Sequence, residues 1–101
     1  MKKQNKVWAL ITPACHEALF KLSKERRIPA TKLILDIVFN KLPKELEEDY
    51  SFSTPGRATV IATDDKEYAR IKELAAENNV EISRFLRKAI YTYLKREGYI
   101  E

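Results

Sequence analysis

The sequence predicts a mainly α fold of two β-α-α units on one chain, which pair with each other through a two-stranded antiparallel ribbon. The first observation is residues 82–94, ISRFLRKAIYTYL, where apolar residues three and four apart line one face of a helix. The second is residues 30–42, ATKLILDIVFNKL, which repeat that pattern 52 residues earlier. The third is a short strand and a helix before each segment, at the same offset. The repeated positions in the two helices are Thr31, Leu33, Ile34, Val38, Phe39 and Leu42, which match Ser83, Phe85, Leu86, Ile90, Tyr91 and Leu94.

The first unit begins with a predicted strand over residues 7–12, VWALIT, which is rich in strand-forming residues and is closed by Pro13. Thr12 and Pro13 predict a helix start, because a hydroxyl caps the first N–H groups and proline suits the first helical position. That helix runs to about residue 26. Pro29 ends it, since proline disfavours helical geometry in the residue before it. The second helix then covers residues 30–42.

The second unit begins with a predicted strand over residues 57–63, RATVIAT. Asp64 and Asp65 open the third helix, where their charges oppose the positive end of the helix dipole. The fourth helix ends at Gly98, a favourable residue just past a helix end. The chain therefore divides into a first repeat over residues 1–42, a linker over 43–56 and a second repeat over 57–101, which together make one compact domain.

Composition narrows the function classes. The chain has 101 residues and a formal net charge of +4, and about +8 once the acidic group Glu45, Glu47, Glu48 and Asp49 is set aside. A basic surface favours a polyanion partner. The lone Cys15 excludes an internal disulfide and predicts a reducing, cytoplasmic setting. The apolar runs are too short for a membrane span.

No catalytic or metal-binding pattern stands out in the sequence. Cys15 and His16 are sequence neighbours and therefore do not face each other on a helix, and no other Cys or His accompanies them. Two glycines in the whole chain do not make a glycine-rich phosphate loop. We therefore expect no enzyme activity, no cofactor, no metal and no small-molecule substrate.

The duplicated strand, helix, turn and helix resembles the ribbon-helix-helix family of DNA-binding proteins, of the Arc, MetJ and CopG type. The strongest local similarity is residues 74–94, LAAENNVEISRFLRKAIYTYL, with Asn79 at the position where the family usually has glycine. Pro29 and Glu81 replace the usual Ser or Thr helix caps, which leaves Thr31 and Ser83 as substitutes. The resemblance implies an intrachain pseudo-dimer, because family members with one copy dimerise.

The resemblance also implies a transcription regulator, with repressor as the expected kind and the sign of regulation left open. Its partner would be double-stranded DNA, and chains could also associate with each other along it. The location would be the cytoplasm, or the host-cell cytoplasm if the source is viral.

The same resemblance places a ribbon in the DNA major groove, where outward side chains at alternate strand positions read bases. On the first strand, Val7, Ala9 and Ile11 look like core, so Lys6, Trp8 and Leu10 are predicted to face outward, although a tryptophan also serves as a core anchor. On the second strand, polar composition selects Arg57 and Thr59 as outward readers. The repeat offset instead selects Ala58, Val60 and Ala62. We predict the polar set, because Arg and Thr discriminate bases better than Ala does.

The resemblance also implies that the starts of the second and fourth helices flank the ribbon, so the phosphate contacts are predicted there. The first N–H groups there lack internal partners and carry the positive end of the dipole. Thr31 and Ser83 add a hydroxyl, and Lys32 and Arg84 add a cation next to it. An ordinary solvated helix face is the alternative interpretation of this basic surface.

A protein-interaction module of antitoxin or assembly-adaptor type is the alternative function. Apolar residues on both faces of each strand favour it, whereas the basic helix starts and the basic arm over residues 1–6 favour DNA. Antitoxins of the family usually extend a long C-terminal segment over the toxin, and only Gly98 to Glu101 follow the last predicted helix here.

Overall fold

The chain forms two strands and four helices in the order β-α-α-β-α-α. The computed structural model describes residues 5–48 and 56–100. The elements are β1 (Asn5–Ile11), α1 (Pro13–Arg26), α2 (Ala30–Asn40), β2 (Arg57–Thr63), α3 (Asp65–Glu77) and α4 (Ile82–Arg96). None of the helices in these two ranges combines the length and apolar character that crossing a membrane requires.

The starts of the elements repeat at the offset that the sequence predicts. β2, α3 and α4 each begin 52 residues after β1, α1 and α2, at Asn5 and Arg57, Pro13 and Asp65, and Ala30 and Ile82. Some bounds differ from the prediction: β1 covers Asn5–Ile11 instead of residues 7–12, α2 ends at Asn40 instead of residue 42, and α4 ends at Arg96, before Gly98. Part of the predicted linker, residues 49–55, and part of the basic arm, residues 1–4, lie outside the described residues.

The two strands pair antiparallel within the chain. Trp8 pairs directly with Val60, which is its equivalent 52 residues later. Lys6 pairs with Ala62, the equivalent of Leu10, and Leu10 pairs with Ala58, the equivalent of Lys6. This exchange of equivalent residues is what a two-fold axis through the Trp8–Val60 pair produces.

The helices interlock beneath the ribbon. α4 packs against β1, α2 packs against β2, and α2 and α4 contact each other. Each long apolar helix therefore covers the strand of the other half, so neither half encloses its core alone. The buried side chains come from both halves and include Leu33, Ile34, Val38, Phe85, Leu86, Ile90 and Leu94.

The helix-to-helix turns also correspond. The turn before α2 places Arg27 at φ 55° and the turn before α4 places Asn79 at φ 56°. Left-handed backbone suits Gly and, next, Asn, so the predicted role of Asn79 is confirmed. Arg27 takes the same conformation without either advantage, and its N–H donates to the carbonyl oxygen of Lys24 at 3.4 Å.

The predicted caps of α1 and α3 are confirmed. The Thr12 hydroxyl accepts the N–H of Cys15 at 3.2 Å. Asp64 accepts the N–H of Glu67 at 2.8 Å, and the Glu67 carboxylate accepts the N–H of Asp64 at 2.9 Å, which makes a reciprocal capping box. Both helices therefore begin at a satisfied cap, directly after a strand.

Candidate nucleic-acid interface

One face of the ribbon lies at the protein surface, and we call it the ribbon face. On β1 the side chains of Val7, Ala9 and Ile11 are buried, so the predicted inward set is confirmed. Trp8 is 57% exposed and its direct partner Val60 is 55% exposed. Because paired residues share a face, the ribbon face consists of Lys6, Trp8, Leu10, Ala58, Val60 and Ala62.

The predicted strand phase of β2 is wrong. Arg57 and Thr59 lie on the face opposite Trp8, because they pair with Ile11 and Ala9, both of which are buried. Thr59 is half-buried there, whereas Arg57 is exposed at the end of the strand. The repeat offset, which selected Ala58, Val60 and Ala62, predicts the phase correctly.

Threonine on the core face explains why polar composition gave the wrong outward face for β2. Thr63 is fully buried, and its hydroxyl donates to the backbone carbonyl of Asn5 on the partner strand at 2.9 Å. A buried hydroxyl is tolerated when it finds such an acceptor. Threonine in a strand is therefore a weak indicator of the outward face. The equivalence between repeats is the better indicator, because equivalent residues lie on the same face of the ribbon.

The starts of α2 and α4 differ from those of α1 and α3. Within the described ranges, neither Pro29 nor Glu81 makes a side-chain hydrogen bond that caps the helix it precedes. Leu33 and Phe85 donate their N–H groups to the carbonyl oxygens of Pro29 and Glu81, at 3.1 and 2.8 Å, which closes the first helical turn. The N–H groups that precede Leu33 and Phe85 in the first turn have no partner within the helix, so positive dipole charge is concentrated at each helix start.

Several predicted site residues meet at one cleft of about 780 Å³. It lies where β1 approaches the start of α4. Its lining includes Lys6, Trp8, Leu10, Ser83 and Arg84 from the predicted set, together with Val7, Tyr68, Glu81, Ile82 and Arg87. The predicted residues Thr31, Lys32, Arg57 and Thr59 do not line this cleft. Thr31 and Lys32 stand at the start of α2, which packs against the other strand.

The linker adds a feature that the sequence prediction missed. Residues 45–48, which we call the acidic segment, lie along α4. Glu48 bridges two cations: its carboxylate accepts Arg84 Nη2 at 3.0 Å and Arg87 Nη2 at 2.7 Å. Glu47 pairs with Lys95 at 3.1 Å. The sequence shows the acidic residues and the basic helix separately, and only the fold brings the two together.

A buried hydroxyl fixes the acidic segment in place. Thr92, fully buried on α4, accepts the backbone N–H of Glu47 at 2.8 Å. Such a backbone bond orients the segment independently of its charges, so that Glu48 faces the start of the helix and Glu47 faces its end. The segment therefore neutralises part of the positive surface of α4.

Burial and two arginine partners act on the pKa of Glu48 in opposite directions. Burial acts to raise the pKa of the Glu48 carboxyl, but hydrogen bonds from Arg84 and Arg87 outweigh it and hold that pKa below its ordinary value of 4.5. A lowered pKa means that the pairing stabilises the fold fully above about pH 4.5. This contribution is lost as the pH falls through the lowered pKa.

The same described residues hold no group of three or more His, Cys, Asp or Glu side chains arranged to bind a metal ion. Comparisons with protein-family models, with curated proteins and with solved structures found no match to this chain. The ribbon, the helix starts and the charges around them are therefore the features that bear on function.

Proposed function

We propose that the chain is a sequence-specific DNA-binding transcription regulator, a tandem ribbon-helix-helix protein that inserts its ribbon face into the major groove. The observation that carries this proposal is an exposed antiparallel ribbon with the start of α4 beside it, a helix start that lacks a side-chain cap. Two strands about 5 Å apart fit a groove about 12 Å wide.

The helix starts supply the phosphate contacts in this proposal. Free N–H groups at a helix start bind phosphate oxygens, and the dipole adds attraction. Each start carries a hydroxyl and a cation in sequence, Thr31 and Lys32 on α2 and Ser83 and Arg84 on α4. The α4 start lies at the cleft beside β1, and because α2 packs on the other strand, the proposal assigns the α2 start to the opposite DNA backbone of the same groove.

The test is the affinity for duplex DNA as a function of salt, for Lys32→Ala and Arg84→Ala. Loss of one phosphate contact lowers the slope of log K against log salt by about 0.9 and weakens random and specific duplexes alike. Lys95→Ala is the matched control, because it removes a cation from α4 about 16 Å along the helix from Arg84. The control should leave the slope unchanged.

A protein-interaction module is the second candidate, favoured by the apolar character of the ribbon face. Trp8, Leu10 and Val60 are all more than 40% exposed, and exposed apolar patches often mark protein contacts. If Lys32→Ala and Arg84→Ala leave both affinity and salt slope untouched, the helix starts do not face DNA. The interaction module would then be the better account.

A further inference from the structure

We propose that the ribbon face recognises its DNA target mainly through thymine methyl groups, so that the centre of the target site is rich in A·T pairs. This inference rests on the proposed DNA-binding function and specifies which feature of the major groove the ribbon reads. It assigns the reading residues as Trp8, Leu10 and Val60, with Ala58 and Ala62 beside them.

The chemistry of the ribbon face leaves little capacity for hydrogen bonding to bases. Of its six side chains, only Lys6 and the indole N–H of Trp8 offer donors, and none offers an acceptor. Trp8 and Val60 form the central pair, each more than half exposed. The middle of the ribbon is therefore an apolar surface.

The major groove has one apolar feature that distinguishes a base pair, which is the C5 methyl group of thymine. A guanine or cytosine edge placed against Leu10 or Val60 loses its bound water and gains no hydrogen bond in return, which is unfavourable. A thymine methyl in the same place removes apolar surface from water. The apolar ribbon face therefore favours thymine at the positions that it contacts.

The charges around the ribbon face favour DNA as the occupant. Lys6 lies at one end of the face, and Arg84 lines the cleft beside it with Ser83. Lys32 is exposed at the start of α2, the helix that packs against β2. An apolar strip with Lys6 at one end and Arg84 in the cleft beside it complements a groove whose floor carries methyl groups and whose edges carry phosphates.

The two ends of the ribbon face differ, which predicts an asymmetric site. Lys6 pairs with Ala62 at one end, and Leu10 pairs with Ala58 at the other. Lysine donates to guanine O6 and N7, whereas leucine and alanine do not. Over the about 13 Å from residue 6 to residue 10, the central base pairs should therefore be A·T-rich with a G·C pair at the Lys6 end.

The experiment is selection of a binding site from random duplexes, followed by replacement of each thymine with deoxyuridine. This replacement removes the C5 methyl and keeps the base-pairing edge. We expect about threefold to fourfold weaker binding per contacted thymine, the equivalent of about one buried methyl group. Deoxyuridine outside the central base pairs should change the affinity little.

Variants of the ribbon face separate direct contact from an effect on DNA shape. Val60→Ala and Leu10→Ala remove exposed side chains, so they should fold normally. Each should abolish the deoxyuridine penalty at the thymine that it contacts while keeping the penalty elsewhere. Lys95→Ala should preserve every penalty.

The outcomes distinguish this inference from the function on which it rests. Salt-dependent binding with no deoxyuridine penalty, with a penalty unchanged in both variants, or with a selected G·C-rich centre overturns thymine reading and leaves DNA binding intact. Absence of binding to any duplex at low salt overturns both. A penalty that disappears in the matching variant supports the proposal.

Discussion

The starts of α4 and α2 occupy equivalent places in the fold but carry different chemistry. Arg84 and Arg87 stand where α2 has Lys32 and Leu35. Leu35 is buried, whereas Arg87 reaches the carboxylate of Glu48. One further position on, Lys88 of α4 replaces an aspartate of α2, Asp36, which accepts a hydrogen bond from Asn40 at 2.8 Å and pairs with Lys41 at 3.2 Å. The α4 start therefore carries two arginines that the acidic segment partly neutralises, whereas the α2 start carries the single cation Lys32 and no acidic residue in its first turn.

The buried positions of the same two helices agree closely. Leu33 and Phe85 are equivalent and both buried, and so are Val38 and Ile90. Core positions are restricted by packing, because a change in volume of even one methylene group is felt there. The two halves therefore agree at the buried positions that the fold needs and differ at the exposed helix starts, so the two sides of the ribbon are not chemically equivalent.

The largest expected effect tests whether the two halves share one core. Phe85→Ala should lower the free energy of unfolding by about 3–5 kcal/mol, and Leu33→Ala by about 2–5 kcal/mol. Because α4 packs on β1, the loss of Phe85 should also destabilise the first half. Fluorescence of Trp8, the single tryptophan, and circular dichroism of the helices should report one shared transition.

A milder variant keeps this test informative if Phe85→Ala does not fold. Phe85→Leu retains most of the apolar surface and should shift both signals together by a smaller amount. Separate transitions for Trp8 fluorescence and helix signal would show that the halves unfold independently, which contradicts the interlocked core.

An intermediate effect concerns the acidic segment. Glu48→Gln removes the charge that pairs with Arg84 and Arg87. If Arg84 binds phosphate, its release should raise the affinity for duplex DNA by about twofold to fivefold at low salt, the scale of a partly exposed ion pair. Fluorescence anisotropy with the same duplex for wild type and variant measures the change.

Glu47→Gln is the matched control for this effect. It removes the same charge one residue earlier, where the partner is Lys95 near the end of α4. Its affinity should stay near that of the wild type. An equal gain in both variants would mean that only the net charge matters and that Glu48 does not cover a DNA contact.

The amount that could be predicted from sequence differs between core and surface. The apolar period and the constant offset gave the order of elements and the starts of β2, α3 and α4, because periodicity reflects burial directly. The prediction of which β2 side chains face outward failed because threonine can also lie on the core face, where Thr63 donates its hydroxyl to the backbone carbonyl of Asn5. The contact of Glu48 with Arg84 could not be predicted, because the two residues are 36 positions apart in the sequence and only the fold brings them together.

The smallest expected effect compares the two turns. Arg27 and Asn79 both adopt left-handed backbone, at φ 55° and 56°. This geometry costs a residue such as arginine about 1–2 kcal/mol, whereas asparagine tolerates it better. Glycine removes that cost but loses about 0.5–1 kcal/mol through its freer unfolded state. Arg27→Gly should therefore raise the unfolding free energy by about 0.5 kcal/mol and the melting temperature by about 2–4 °C, while Asn79→Gly should change either quantity little.

Arg27→Ala separates the backbone effect from the side-chain effect, since alanine keeps the cost of left-handed backbone and should give no gain in stability. Thermal unfolding of the three variants measures the difference, and a stabilisation by Arg27→Ala equal to that by Arg27→Gly would show that the arginine side chain, and not the backbone, sets the cost of this turn.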